Sequence, residues 1–209
     1  MNEDDRYFYY GTANLNLDVK IMINPKYEAQ KKFEFGNGFY LTPYKNVAKD
    51  YARSGILKNY LENMDEENDD NIKALIDGTI FKAHIHKYEV DVRKIKDGKL
   101  RTCMDIDSYK KVIRDTIDGY RSNEKYWTNY DYTYGILCGR YWDENIELQY
   151  GFEEKCAKNM MKTINENNDE VYSIQLCLHN SRSAIINHTY EVITDEIDDS
   201  EEDFEDLII

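Results

Sequence analysis

The chain is short of the residues that would tie it to a metal, a membrane or a nucleic acid. Its four cysteines, Cys103, Cys138, Cys156 and Cys177, are scattered and form no Cys-x-x-Cys pair. That spacing argues against a metal site and fits reduced thiols in a cytoplasm. No apolar run approaches the roughly 18 residues that a membrane span requires. The acidic start, Met1-Asn2-Glu3-Asp4-Asp5-Arg6, lacks the apolar region of a secretory leader. Basic residues are outnumbered 27 to 41 by acidic ones, and the net charge is −14. Phosphates repel such a surface, so direct binding to DNA or RNA is disfavoured.

What is present suits a globular domain of ordinary size, with 41% hydrophobic residues in 209. Much of the acidity is local, because Asp195 to Asp206 carry nine acidic side chains and no basic one. The sequence therefore predicts one domain over 1–194 and an acidic tail at 195–209 that does not fold on its own. Phe204 and Leu207-Ile208-Ile209 are apolar anchors among those acids. The plain reading is a disordered, solubilising tail; beside it, the pattern suits a basic groove on a protein partner, or the chain's own basic residues.

Along the chain, Arg6 to Tyr10 is aromatic and β-prone, and Gly11-Thr12 closes it. Thr12 to Asn24 reads as a polar connection with an apolar patch at Val19 to Ile23, and Lys26 to Glu34 as a charged, exposed loop. Phe39 to Thr42 predicts a strand stopped by Pro43. A helix follows, with Val47, Ala48, Tyr51, Ala52 and Ile56 inward, ending near Asn59 to Asn63. Met64 to Asn71 is an acidic loop.

Thr79 to Val90 alternates like a strand, with Phe81, Ala83 and Ile85 on one face and Lys82, His84 and His86 on an exposed one. Asp105 to Tyr120 predicts an amphipathic helix with Ile106, Tyr109, Val112, Ile113, Ile117 and Tyr120 inward. Asn123 to Asn129 reads as a loop, Tyr130 to Leu137 as a strand and Asp143 to Glu147 as surface acids. Phe152 to Ile164 reads as a helix with Glu153 and Glu154 favourably in its first turn. Val171 to Leu178 predicts a strand with Ile174, Leu176 and Leu178 on one face and Ser173, Gln175 and Cys177 on the other. A short helix over Arg182 to Asn187, capped by Asn180 or Ser181, and a strand at Tyr190 to Ile193 complete the domain. Strands at the start, middle and end, separated by helices, make the fold class α+β.

One stretch stands apart: Phe35-Gly36-Asn37-Gly38-Phe39-Tyr40-Leu41-Thr42. Two glycines bracket one residue and deliver an aromatic strand, a way to hold a flat ring against backbone. This run resembles the Gly-x-Gly-aromatic-Tyr motif of the ADP-ribosyltransferase superfamily, in its diphtheria-toxin-like branch. It is similar in more detail to an uncharacterised, mostly bacterial family with Tyr-His-Gly-Thr, Phe-Gly-x-Gly-Phe-Tyr-Leu-Thr and Asp-Gln motifs. Here the first motif is Tyr9-Tyr10-Gly11-Thr12, with Tyr10 at the histidine position. Tyr130-Asp131-Tyr132-Thr133-Tyr134-Gly135 resembles a later segment. The last is Ile174-Gln175, with Ile174 at the aspartate position, and the likeness runs from about residue 6 to 194.

The resemblance implies two packed antiparallel sheets around an NAD cleft, with flanking helices, and NAD as co-substrate. It implies that Gly11 bonds the carboxamide through its backbone and that Tyr40 stacks on the nicotinamide. Tyr10 or Thr12 would reach the adenosine-side ribose, and Phe35, Gly36, Gly38 and Phe39 would complete the NAD-binding set. Gln175 stands where better-known transferases carry a glutamate; it accepts the same hydrogen bond without charge. Glu147 or Glu153 would be substitutes, and Lys45 or Arg53 candidate pyrophosphate ligands. The implied activity is an intracellular NAD-dependent ADP-ribosyltransferase acting on a macromolecular acceptor, in the setting of a toxin, defence or phage-borne factor. Two other readings stand beside it: an NAD-binding pseudoenzyme acting on a partner, and an acidic nucleic-acid mimic.

Overall fold

A computed structural model describes residues 1, 6–12, 33–52, 82–137, 151, 153–158, 174–179 and 183–194. The apolar patch at 19–23, the acidic loop at 64–71, the acids at 143–147, the caps at 180–181 and the tail at 195–209 lie outside these residues. So do the predicted ends of the helices near 59–63 and 159–164.

Two sheets and four helical segments make up the described part. The first sheet has the order β1-β3-β7, from Tyr7–Thr12, Lys82–Val90 and Ile185–Thr194, all antiparallel. The second has the order β2-β6-β5-β4, from Phe39–Leu41, Ile174–Leu178, Tyr132–Ile136 and Leu100–Cys103. The helices are α1 (45–52), α2 (Val92–Asp97), α3 (Ile106–Ser122) and α4 (153–158). The α+β class is thus observed, but the second sheet is mixed, because β4 and β5 run parallel. A parallel pair needs a crossover, and α3 supplies it.

Burial explains the layers. Phe8 and Tyr88 of the first sheet face Phe39, Leu41, Tyr132, Tyr134, Leu176 and Leu178 of the second. Phe8 meets Tyr134, and Phe39 meets Tyr88, edge to face at centroid distances of 6.5 and 5.5 Å. The other face of the second sheet takes α3, through Tyr109, Val112, Ile113 and Ile117 packed on Phe35, Cys103 and Cys177. Asp105 caps α3 reciprocally with Ser108, which fixes where the helix begins. Cys103, Cys156 and Cys177 are buried and form no disulfide among the described residues.

Several expectations are corrected. His84 and His86 are buried, each only 6% exposed, where an exposed strand face was expected. Both faces of their strand are covered by packed layers: Ile85 packs on Ala48 and Ala52, and the histidine face carries Tyr88 into the inter-sheet core. Residues 185–187 are strand, because Ile185 and Asn187 pair with Val90 and Glu89, and no helix forms over them. Tyr51 is 49% exposed instead of inward. The polar loop at 123–129 contains a 3₁₀ turn, Tyr126–Asn129, that buries Trp127. Helix α2 and strand β4 escaped sequence reasoning. They are short, and their signal reduces to the Asp91 cap and the buried pair Val92 and Ile95.

Gly11 shows how tightly α1 is docked. A Cβ on Gly11 would lie 1.6 Å from the carbonyl oxygen of Ala48 and 3.1 Å from the Ala52 Cβ. Gly11→Ala should therefore push the helix off β1, at a cost of about 3 kcal/mol, the upper range for overpacking. Urea unfolding of the purified variant checks this, and a wild-type midpoint would contradict the packing described here.

Candidate functional site

The strands that carry the two glycine motifs are edge strands, β1 of one sheet and β2 of the other. They meet at a single bridge: Tyr9 N–H donates to the Thr42 carbonyl at 2.7 Å, and Thr42 N–H to the Tyr9 carbonyl at 3.0 Å. Tyr9 thus points its backbone groups away from β3. Alternation then turns the backbone groups of Gly11 toward the same seam. Helix α1 lies over the seam, with Ala48 and Ala52 against the first sheet.

The turn at 33–38 is clamped from several elements at once. Tyr40 Oη accepts from Phe35 N–H at 2.9 Å and donates to the Gly36 carbonyl at 2.8 Å. Tyr120 Oη accepts from Phe33 N–H at 2.8 Å and donates to the Phe33 carbonyl at 3.2 Å. Gly36 has φ +87°, and any Cβ there would lie 2.3 Å from the Trp127 ring. Glycine is needed for both reasons. Gly38 has no such φ, but its Cβ would lie 2.4 Å from Cys177 Sγ.

Below the turn runs a directed chain of hydrogen bonds. Arg101 Nη2 donates to the Phe35 carbonyl at 3.1 Å, and Arg101 Nε to Thr133 Oγ1 at 3.1 Å. Thr133 Oγ1 lies 2.8 Å from His179 Nε2, and His179 Nδ1 lies 2.8 Å from the Asn37 carbonyl. A carbonyl only accepts, so Nδ1 carries the proton and Nε2 accepts from Thr133. Burial holds the His179 ring neutral, with its pKa lowered to about 4; the Asn37 carbonyl and Asp131 oppose that shift, and Arg101 adds to it. Burial also lowers the Arg101 pKa from its usual value.

Beside this clamp sit polar groups that the sequence did not bring together. Gln175 is 5% exposed and donates from Nε2 to Tyr51 Oη at 3.1 Å. Glu34, expected in an exposed loop, is 5% exposed and accepts from Tyr109 Oη at 2.5 Å. Its chain neighbour Phe35 is core, which draws the carboxylate under α3. Burial raises the Tyr40 phenol and, although the Tyr51 residue is half exposed, also raises the Tyr51 hydroxyl where it meets Gln175; the Glu34 charge adds to both shifts. Burial likewise raises Cys103 and Cys177, so neither thiol is an activated nucleophile.

The expected site residues divide between two faces. Phe35, Gly36, Gly38, Tyr40 and Gln175 gather on the α3 side, where the Tyr40 ring lies 6.0 Å from Phe35 and 5.4 Å from Phe33. The rings of Tyr10 and Phe39 lie on the inter-sheet side, 5.1 Å apart. Thr12 pairs with His84 on that side. His84 Nε2 is buried and has no hydrogen-bond partner among the described residues. Glu153, a proposed substitute carboxylate, is held by Arg114 at 3.2 Å, and Lys45 pairs with Glu191. Arg53 and Glu147 lie outside the described residues.

The chain matches no known family model, no curated protein and no solved structure. Sequence reasoning missed Glu34, Tyr51, Tyr109, Arg101, Thr133 and His179. A signal existed for one of them: Thr133 is a polar residue between Tyr132 and Tyr134, in a strand whose other positions are apolar or glycine.

The clamp titrates. Unfolded histidine takes its proton near pH 6.5, whereas folded His179 resists until about 4. Between those values the unfolded chain holds the extra proton. The stability due to the neutral ring is therefore complete above about 6.5 and falls as the pH drops toward 4, by roughly 1.4 kcal/mol per unit. His86, also lowered to about 4, adds its own decline. Urea titrations between about pH 7 and pH 5 should show a shallower decline in His179→Gln than in the wild type, and equal slopes would count against the buried neutral ring.

Proposed function

We propose that this protein is an NAD-dependent ADP-ribosyltransferase whose NAD site lies at the seam between β1 and β2. The observation that carries this reading is the Tyr9–Thr42 bridge, which brings the Gly11-Thr12 and Gly36-to-Tyr40 segments to one edge. The residues present suit NAD at three points. The Gly11 backbone groups face the seam, His84 Nε2 is a buried nitrogen still to be satisfied, and Gln175 lies one strand away from β2. Tyr40 suits it less well, since its hydroxyl is taken by the turn.

In this reading Gly11 holds the carboxamide through its backbone, Thr12 and Tyr10 serve the ribose side, and Phe35, Gly36, Gly38 and Phe39 keep Tyr40 in place. Gln175 orients a ribose hydroxyl. Breaking the bond between nicotinamide and ribose develops positive charge on the ribose, which neutral Gln175 does not balance. We assign that balance to Glu34, a buried carboxylate whose field reaches Tyr40 and Tyr51. The acceptor is a macromolecule.

A catalytically silent NAD-binding protein is the second reading. It is favoured by the bonds that already occupy Tyr40 and Gln175. Calorimetry with NAD, followed by incubation with labelled NAD and cell lysate, separates the two. The transferase reading expects binding and label on protein or nucleic acid. Gln175→Ala and Glu34→Gln should each lower transfer at least tenfold and binding by less, because their contacts strengthen as charge develops. Binding without transfer would establish the silent reading, and no binding would end both.

A further inference from the structure

Strand β7 is an edge of its sheet, ten residues long, with no neighbour on its outer side among the described strands. Natural edge strands are blunted by lysine, proline or shortness. This one contains no Lys, Arg, Pro or Gly, and its single charge, Glu191, is drawn to Lys45 of α1. Five large hydrophobic side chains are exposed among the described residues, and three of them are here: Ile186 at 62%, Tyr190 at 65% and Val192 at 48%. His188 N–H bonds the Asn187 side chain at 2.9 Å instead of β3. The even-numbered residues of β7 therefore direct their backbone groups to the open edge.

We propose that β7 pairs with β7 of a second copy, antiparallel about Thr189, joining two three-stranded sheets into one of six. The sequence of the strand is nearly symmetric about that point. Ile186 then faces Val192 of the other copy, His188 faces Tyr190, and Asn187 faces Glu191. The even-numbered positions form the hydrogen-bonded pairs, as their backbone direction requires. A register centred on Glu191 would instead oppose two carboxylates, which is unfavourable. Antiparallel pairing also puts the two Thr194 residues at opposite ends of the joint sheet. A strand pair covers less than the ~1,200 Å² typical of stable interfaces, so the dimer is concentration-dependent. Each copy carries a net charge of −14, so salt, by screening that repulsion, strengthens it.

Sedimentation equilibrium of the full chain over a concentration series, at low and raised salt, provides the first measurement. The pairing expects a dimer fraction that grows with concentration and with salt, and a monomer for Tyr190→Lys at every concentration. A wild type that stays monomeric throughout, or a Tyr190→Lys that dimerises equally, overturns it. The second measurement does not depend on the folding of Tyr190→Lys. Thr189 meets its own counterpart as a non-hydrogen-bonded pair, with Cα atoms about 4.5 Å apart, within disulfide reach. Under mild oxidation Thr189→Cys should form a covalent dimer at least tenfold faster than Asn187→Cys or the wild type. Equal rates in the three proteins overturn the register and with it the proposal.

Discussion

Arg101 is a buried cation whose hydrogen bonds among the described residues reach only neutral oxygens, the Phe35 carbonyl and the Thr133 hydroxyl. Burying a charge without a paired anion is costly, and the Tyr130 ring 4.8 Å from the guanidinium carbon offsets part of that. In exchange, the carbonyls of Phe35 and Asn37 are fixed, one by Arg101 and the other through Thr133 and His179. The turn cannot then relax, and Gly36 stays in a left-handed conformation with Trp127 filling the space beside it. The direction in which Tyr40 leaves the turn follows from these bonds.

The second constraint is that the two sheets meet at an edge as well as face to face. The inter-sheet core holds the sheets together through Phe8, Tyr88, Phe39 and their neighbours. The Tyr9–Thr42 bridge fixes where β1 and β2 touch, and α1 seals the joint because Gly11 leaves room for the Ala48 backbone. Polar groups then accumulate on either side of the joint. Gln175, Tyr51, Glu34 and Tyr109 lie on the α3 side, and Thr12 and His84 on the other.

Much of the secondary structure was legible because each element carries a local signal. The 3.6-residue spacing from Ile106 to Ile117, closed by the Asp105 cap, gave α3, and strict alternation gave β6 with its two faces correctly divided. The glycine turn was legible as a turn. Its clamp was not, because Arg101, Thr133 and His179 come from segments 32 to 142 residues from their partners, and no spacing rule spans that distance. The histidine face of β3 was misjudged for a related reason. Alternation tells which residues share a face but not whether that face meets solvent.

By itself, then, the sequence determined the class of fold, the glycine turn and most strands and helices, since these rest on contacts between residues a few positions apart. It also determined the chain's acidity and the position of its acidic run. Only the tertiary structure decided that β4 and β5 run parallel, that Glu34, His84 and His86 are buried, and that Gln175 meets Tyr51. Those outcomes depend on which surfaces are covered by distant parts of the chain. Burial is what lowers the proton affinity of His86, and it leaves each of these buried groups a limited set of partners.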